Sequence, residues 1–261
     1  MSFKLGEYYI DRFLTVTAMN PKTNAPLYVL KNVSEGSIEV TAESKEVKDA
    51  RGNLIQKIYT GKTGTATFTN ALLHAAAQAA MSGSELKEGS SSEKLAFTMT
   101  KEVNAGTATT TLTGAKEGTI QVVGVSGSAA IVKTYTADTS ASETAFAFAD
   151  GTLTLPTGTQ TDVVTYLITY DVEVEDAVGF TNSGEDFPST VKLVARAVIY
   201  DACDATEGKV GIIVIKSFKP SPETTLSFQS DATLEYKGDI QTDYCSADKE
   251  LYSIYFLDEE E

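Results

Sequence analysis

The chain has 261 residues, 42% of them hydrophobic, which is enough for a large β domain or a core domain carrying a smaller one. Its 21 Lys and Arg stand against 36 Asp and Glu, for a net charge of −15. That excess of acid argues against a protein that grips nucleic acid by neutralising its phosphates, a mode that needs clustered Lys and Arg. The start, Met1-Ser-Phe-Lys-Leu-Gly-Glu, carries charge where a secretory signal is apolar, and no stretch approaches the roughly 18 apolar residues of a membrane helix. The expectation is a soluble chain made and kept in a cytoplasm, where Cys203 and Cys245 are two small buried residues and not a disulfide framework.

In chain order, residues 1 to about 35 read as an arm with one or two strands around the turn-rich Asn20-Pro-Lys-Thr-Asn-Ala-Pro26. From Gly36 a strand enters a charged hairpin, Glu43-Ser-Lys-Glu-Val-Lys-Asp-Ala-Arg-Gly-Asn53, and Leu54-Ile-Gln-Lys-Ile-Tyr returns; Arg51-Gly-Asn supplies residues that tolerate positive φ. Thr65-Ala-Thr-Phe-Thr follows. The composition then predicts one α-helix over about 70–82: Thr69 or Asn70 caps it, Ala71 to Met81 has high helix propensity, and Gly83 suits its end. Leu72, Leu73, Ala76 and Ala80 share a face that would pack it on a sheet.

Residues 83–94 read as a polar loop, and 95–168 as a β-rich insertion or an elaborated part of the same domain, with strand-like pieces near Leu112, Thr119, Ala130 and Gly151. Heavier strands return at Val191–Ile199, which alternates apolar with Lys192 and Arg196, and at Ile212–Ile215, apolar on both faces. The expected fold is mainly β: an antiparallel β-sandwich or barrel made of 1–94 and 169–261, flanked by one helix, with the insertion at 95–168.

Chemistry-bearing motifs are sparse. Gly61-Lys62-Thr63 looks like the tail of a phosphate-binding loop, but that motif's first Gly would fall at Gln56, and a strand follows where a helix should. His74 has no second His, Cys or Asp nearby for a metal or a triad. Gly124-Val-Ser-Gly-Ser-Ala lacks the second Gly of a nucleophile elbow. Asn32-Val-Ser34 matches a glycosylation acceptor but meets no secretory route. No catalytic residue, metal site or cofactor is expected. One charge pattern has a geometric consequence: on a strand, Asp171, Glu173 and Glu175 share a face opposite Val172 and Val174.

The stretch from Ile38 to Gly83, with the hairpin Lys48-Asp-Ala-Arg-Gly-Asn-Leu and then Gly64-Thr-Ala-Thr-Phe-Thr-Asn-Ala-Leu-Leu, resembles the core of tailed-bacteriophage tail tube proteins. Thr190-Val-Lys-Leu-Val-Ala-Arg-Ala, Val214-Ile-Lys-Ser-Phe-Lys-Pro, Leu234-Glu-Tyr-Lys-Gly-Asp-Ile and Glu250-Leu-Tyr-Ser-Ile-Tyr-Phe-Leu resemble its closing strands. The resemblance implies a non-enzymatic virion protein, assembled in the host cytoplasm with itself and with other tail proteins. Its hexameric rings would stack into a tube through which DNA passes without specific binding, and no membrane is involved. It also implies contacts between rings through the N-terminal arm and the hairpin 43–53, with Glu43, Lys45, Lys48, Asp49, Arg51 and Asn53 as the ring-stacking candidates. The carboxylates of Asp171, Glu173 and Glu175 are candidates to face the lumen, where they would repel phosphates. Two other readings share the composition. One is a head decoration or other minor virion protein; the other is a carbohydrate-binding or adhesin module, which calls for exposed aromatic platforms in a chain with no Trp.

Overall fold

A computed structural model describes residues 7–202, 204–227, 229, 232–242 and 249–260. Cys203 and Cys245 lie outside them. The chain forms two units, one of residues 1–86 and 180–261, the other of residues 87–179. The first four strands are β1 (Tyr8–Met19), β2 (Pro26–Leu30), β3 (Val33–Lys48) and β4 (Leu54–Asn70), followed by the helix α1 (Ala75–Met81). The smaller unit holds β5 (Lys87–Glu88), β6 (Leu95–Asn104), β7 (Thr109–Thr111), β8 (Gln121–Val125), β9 (Ile131–Ala137), β10 (Ala145–Ala149), β11 (Thr152–Thr154), β12 (Thr165–Val174) and β13 (Val178–Gly179). Back in the larger unit come β14 (Val191–Asp201), β15 (Asp204–Pro220), β16 (Leu234–Ile240) and β17 (Ser253–Glu260).

The larger unit is one antiparallel sheet in the order β2-β1-β14-β15-β16-β4-β3, with β17 also paired to β15. The sheet curls until it is nearly a closed barrel, so that Phe13 of β1 meets Phe68 of β4 edge-on at 6.1 Å. Gly36 of β3 makes this approach possible, because a Cβ there would lie 2.8 Å from the Phe13 ring. Between β1 and β3 a seam remains, a cleft of about 450 Å³ lined by Arg12, Phe13, Glu35, Ser37 and Thr67 among others. The core inside the curl is built by period-2 alternation: Ala66 and Phe68 of β4, Leu193 and Ala195 of β14, Ile213 and Ile215 of β15, Leu234 and Tyr236 of β16.

The helix is shorter than its composition predicts. Asn70 is still in strand, paired with Val33 and Leu234, and its side chain accepts from the Asn32 N–H while donating to the Leu72 carbonyl. Pairing on both edges thus overrides the helix propensity of the residues that follow, and His74 takes the cap, its Nδ1 accepting from the Ala77 N–H at 3.3 Å. Leu72 and Leu73, expected on the packing face, precede the helix and are 59% exposed. Ala76 and Ala80 do pack against the core, joined by the buried Ala77 and Met81.

In the smaller unit the sheet order is β6-β12-β8-β9-β10-β11-β7, antiparallel except for β9 with β10, around a core of Leu112, Val122, Tyr166, Ile168, Val172 and others. A two-stranded pair, β5 with β13, joins the two ends of the segment. The strand β12 runs from 165 to 174 between β6 and β8, so the carboxylates at 171 and 173 belong to this unit, and Glu175 follows the strand.

Inside the larger core the hydroxyls of Tyr28 and Tyr236 bond to each other, with the rings edge-on at 5.9 Å. Burial pushes the Tyr28 phenol up to about 12 and that of Tyr236 well above its ordinary value. Above about pH 10 the unfolded state loses these protons while the folded state keeps them, so stability contributed by the pair is complete below that pH and falls as pH rises through it. Removing one hydroxyl strands the other: Tyr28→Phe should cost about 1–3 kcal/mol in denaturant unfolding, and the double change Tyr28→Phe/Tyr236→Phe should cost less than the sum of the single changes. The double variant should also lose part of the alkaline destabilisation. Equal slopes above pH 10 in both proteins would show that the pair does not titrate in this way.

Candidate functional site

The described residues hold no cluster of three or more His, Cys, Asp or Glu fit for a metal ion. Gly61, Lys62 and Thr63 lie within β4 and present no helix N-terminus to a phosphate. Ser126 and Ser128 face each other at 3.0 Å in the turn between β8 and β9. What the molecule presents is shaped surface, in three places.

The first is a ribbon. From Gly64 to Asn70 every second residue of β4 is buried, whereas Val40–Lys48 of β3 and Leu54–Thr63 of β4 are exposed throughout. The two strands remain paired to Lys48 and Leu54, so they leave the core together and project roughly 30 Å. Breaks in register at Glu43/Ser44 and Val47/Lys48 add twist. Apolar side chains stand on the bare ribbon: Leu54 is 55% exposed, and Ile55 and Tyr59 are each 66% exposed. The ribbon also departs in charge from everything around it. Lys45, Lys48, Arg51, Lys57 and Lys62 against Glu43, Glu46 and Asp49 give +2 between residues 40 and 63, which leaves −17 for the rest of a chain totalling −15.

The tip is fixed by Asp49. Its carboxylate accepts from the backbone N–H groups of Arg51 (2.9 Å) and Asn53 (2.8 Å) and from the Asn53 side-chain amide (2.9 Å). Gly52 turns the chain at φ 87°. Of the six hairpin residues picked out by sequence, Asp49, Arg51 and Asn53 therefore form one tip, while Glu43, Lys45 and Lys48 line β3, with Lys48 paired to Glu46 at 3.0 Å.

The second surface is the row at Asp171, Glu173 and Glu175. Val172 is buried and Glu173 exposed, as alternation requires. The row is not bare, however: Thr98 donates to Asp171 at 2.7 Å, Lys116 pairs with Glu173 at 3.6 Å and Lys94 with Glu175 at 3.1 Å. Two lysines against three carboxylates leave one net negative charge.

The third surface was not singled out from sequence. On the outward face of the large sheet, Thr65, Thr67 and Thr69 of β4 stand between Glu35, Ser37 and Glu39 of β3 and Glu235, Lys237 and Asp239 of β16. All four carboxylates are exposed, and among the described residues none has a cationic partner. The alternating threonines are readable in the sequence, but β16 lies more than 160 residues away, and only pairing brings its acids beside them.

These three surfaces are carried by a mainly β protein built of antiparallel sheets. The chain belongs to the YomU/Tube protein family, a phage-derived family of tube proteins, which matches residues 9–252. No curated protein matches it.

The hydrogen bonds from Asn53, then those from the backbone at the tip, hold the Asp49 carboxyl below its ordinary range. Order that depends on this carboxylate is complete above the ordinary Asp range and is lost as pH falls through the lowered value. Asp49→Ala should speed amide exchange at Arg51 and Asn53 at neutral pH without changing exchange in Gly64–Asn70. Equal exchange in variant and parent would mean that Gly52 alone sets the tip.

Proposed function

We propose that the chain is the repeating subunit of a phage tail tube, in which copies join through the ribbon into rings that stack around a channel for DNA. The observation that carries this reading is the ribbon itself: it has no core of its own, displays apolar residues on paired strands, and is a cationic element on a strongly anionic body. Isolated two-stranded ribbons are marginal in water, and one with apolar side chains facing solvent is completed by a partner surface. Its charge also resolves a difficulty of self-assembly. Copies carrying −15 each repel, but a cationic arm laid on an anionic neighbour places opposite charges in contact. Assembly in the host cytoplasm, a place in the virion tail and contact with other tail proteins follow from the same reading, and it assigns the chain no enzymatic role.

Replacing residues 45–58 by an Asn-Gly turn, so that Ser44 leads directly back to Tyr59, should leave the melting of the larger unit unchanged, because none of the removed residues enters its core. Negative-stain microscopy should then show no rings or tubes at concentrations where the parent chain assembles. Tubes of normal length from the shortened chain would dismiss the ribbon as the joining element.

A channel for DNA needs a wall that repels phosphates. We assign that wall to the threonine and carboxylate face of β3, β4 and β16, which keeps four unpaired acids against Lys237, in preference to the row at Asp171, Glu173 and Glu175, which Lys94 and Lys116 largely neutralise. Particles carrying Glu35→Lys/Glu39→Lys/Glu235→Lys/Asp239→Lys should keep tails of normal length and release DNA slowly at low salt, with recovery above roughly 0.2 M. Particles with Lys at 171, 173 and 175 should release DNA normally. The reverse pattern would return the lumen to the row on β12.

A further inference from the structure

Every residue from 87 to 179 is described, and β6 is the long edge of the seven-stranded sheet they form. It pairs with β12 from Leu95 opposite Val174 to Asn104 opposite Thr165 without a break in register. The direction in which its backbone faces follows from β12. The Asp171 N–H donates to Thr119 Oγ1 at 3.0 Å, the Asp171 carbonyl accepts from the Lys116 N–H at 2.8 Å, and the Glu173 N–H donates to the Gly114 carbonyl at 3.2 Å, so both residues turn their backbone groups away from β6. Their partners Thr98 and Ala96 therefore turn theirs outward, and the period of two extends this to Thr100 and Glu102. Among the described residues these four have no backbone partner on that side. Phe97 and Met99 stand opposite the buried Val172 and Tyr170, yet are themselves 44% and 38% exposed. Sheet edges are ordinarily blunted by Pro, by bulges or by exposed charge. β6 has no Pro and no bulge, and the ammonium of Lys101 is held by the Thr111 carbonyl at 2.9 Å.

We infer that β6 is a self-pairing edge, along which the smaller units of two copies of the chain join antiparallel about a two-fold axis at Met99. The register names the occupant. With Met99 opposite its own copy, Thr98 meets Thr100 and Ala96 meets Glu102 of the second copy as hydrogen-bonded pairs, so all four outward residues are used and none is left over. On the core side Leu95 then falls against Val103 and Phe97 against Lys101, which lays the lysine stem and its cation on an aromatic ring. No like charges stand opposite each other. Lys101 and Glu102 make the edge neutral within a segment, 87–179, that has 5 Lys against 12 Asp and Glu, so the edge meets its own copy without the repulsion that the rest of that segment carries. A two-fold contact closes at two copies, which separates it from the open-ended contact through the ribbon, and it does not depend on the tube reading.

Sedimentation velocity on the full chain with residues 45–58 replaced as above should show a monomer and a dimer and nothing larger. Thr100→Pro removes one outward N–H without touching the ladder to β12, and in that chain it should raise the dissociation constant at least about tenfold while circular dichroism stays the same. Should the proline lower the melting temperature, Met99→Lys, which sets two like charges on the axis, serves in its place. The register has its own test. In a background of Cys203→Ser/Cys245→Ser, Met99→Cys should cross-link to itself under oxidation, because facing residues of a non-hydrogen-bonded pair lie about 4.5 Å apart at Cα. Lys101→Cys should cross-link with Phe97→Cys of another copy and not with itself. A shortened chain that stays monomeric at every concentration would overturn the self-pairing, give the edge to a strand of another protein and leave the tube reading standing; Lys101→Cys linking to itself as readily as Met99→Cys would likewise overturn it. Dimers of the shortened chain beside a parent that never forms tubes would uphold the self-pairing and remove the tube reading.

Discussion

The molecule depends on the uninterrupted pairing of β3 with β4. The same ladder that closes the core at Ile38, Ala66 and Phe68 continues outward to Lys48 and Leu54, where neither face has anything to cover it. A strand's side-chain period of two means that register in the buried half dictates the face of every residue in the bare half. Position and orientation of the ribbon are therefore inherited from the core, and the bulges at Glu43/Ser44 and Val47/Lys48 are the places where it is re-aimed. In an assembly built by repeating one contact, such inheritance matters, because a small error in the angle of the arm would accumulate from copy to copy.

Electrostatics and packing then divide the surface. A net charge of −15 disfavours crowding, yet the charge is unevenly laid: cationic on the ribbon, neutralised along β12 by Lys94 and Lys116, unpaired beside the threonines of β4. Surface ion pairs of this kind contribute little to stability, but they decide which acidic faces keep a field. Composition alone shows only the sum. The exposed apolar side chains of the ribbon are likewise invisible in an overall hydrophobic content of 42%.

Much of the fold was legible in the chain. Period-2 alternation at Val191–Ile199 and the double-sided apolar run at Ile212–Ile215 mark paired strands of the large sheet, and Arg51-Gly-Asn marks the tip that Asp49 locks. The helix is shorter than composition predicts because Asn70 looks like a cap in sequence but is held in strand by neighbours on both sides, one of them from β16. Leu72 and Leu73 fall before the helix for the same reason. The candidate surfaces were legible in so far as they are local. The ribbon is one contiguous hairpin, whereas the threonine and carboxylate face is assembled from β3, β4 and β16.

The order of the strands also bears on how the chain comes into being. β1 must find β14, and β4 must find β16, across the whole of residues 87–179, while β5 to β13 pair only among themselves. On a ribosome the inserted unit is complete while β14 to β17 are still unmade, so it can fold first and shorten the loop that β1 and β4 have to close. Until then β3 and β4 have only each other to pair with, and their apolar side chains and open edges are on display. A bare pair of strands thus exposes the nascent chain to joining other copies too soon, and a strong net negative charge is the simplest means of holding such chains apart until their sheets are complete.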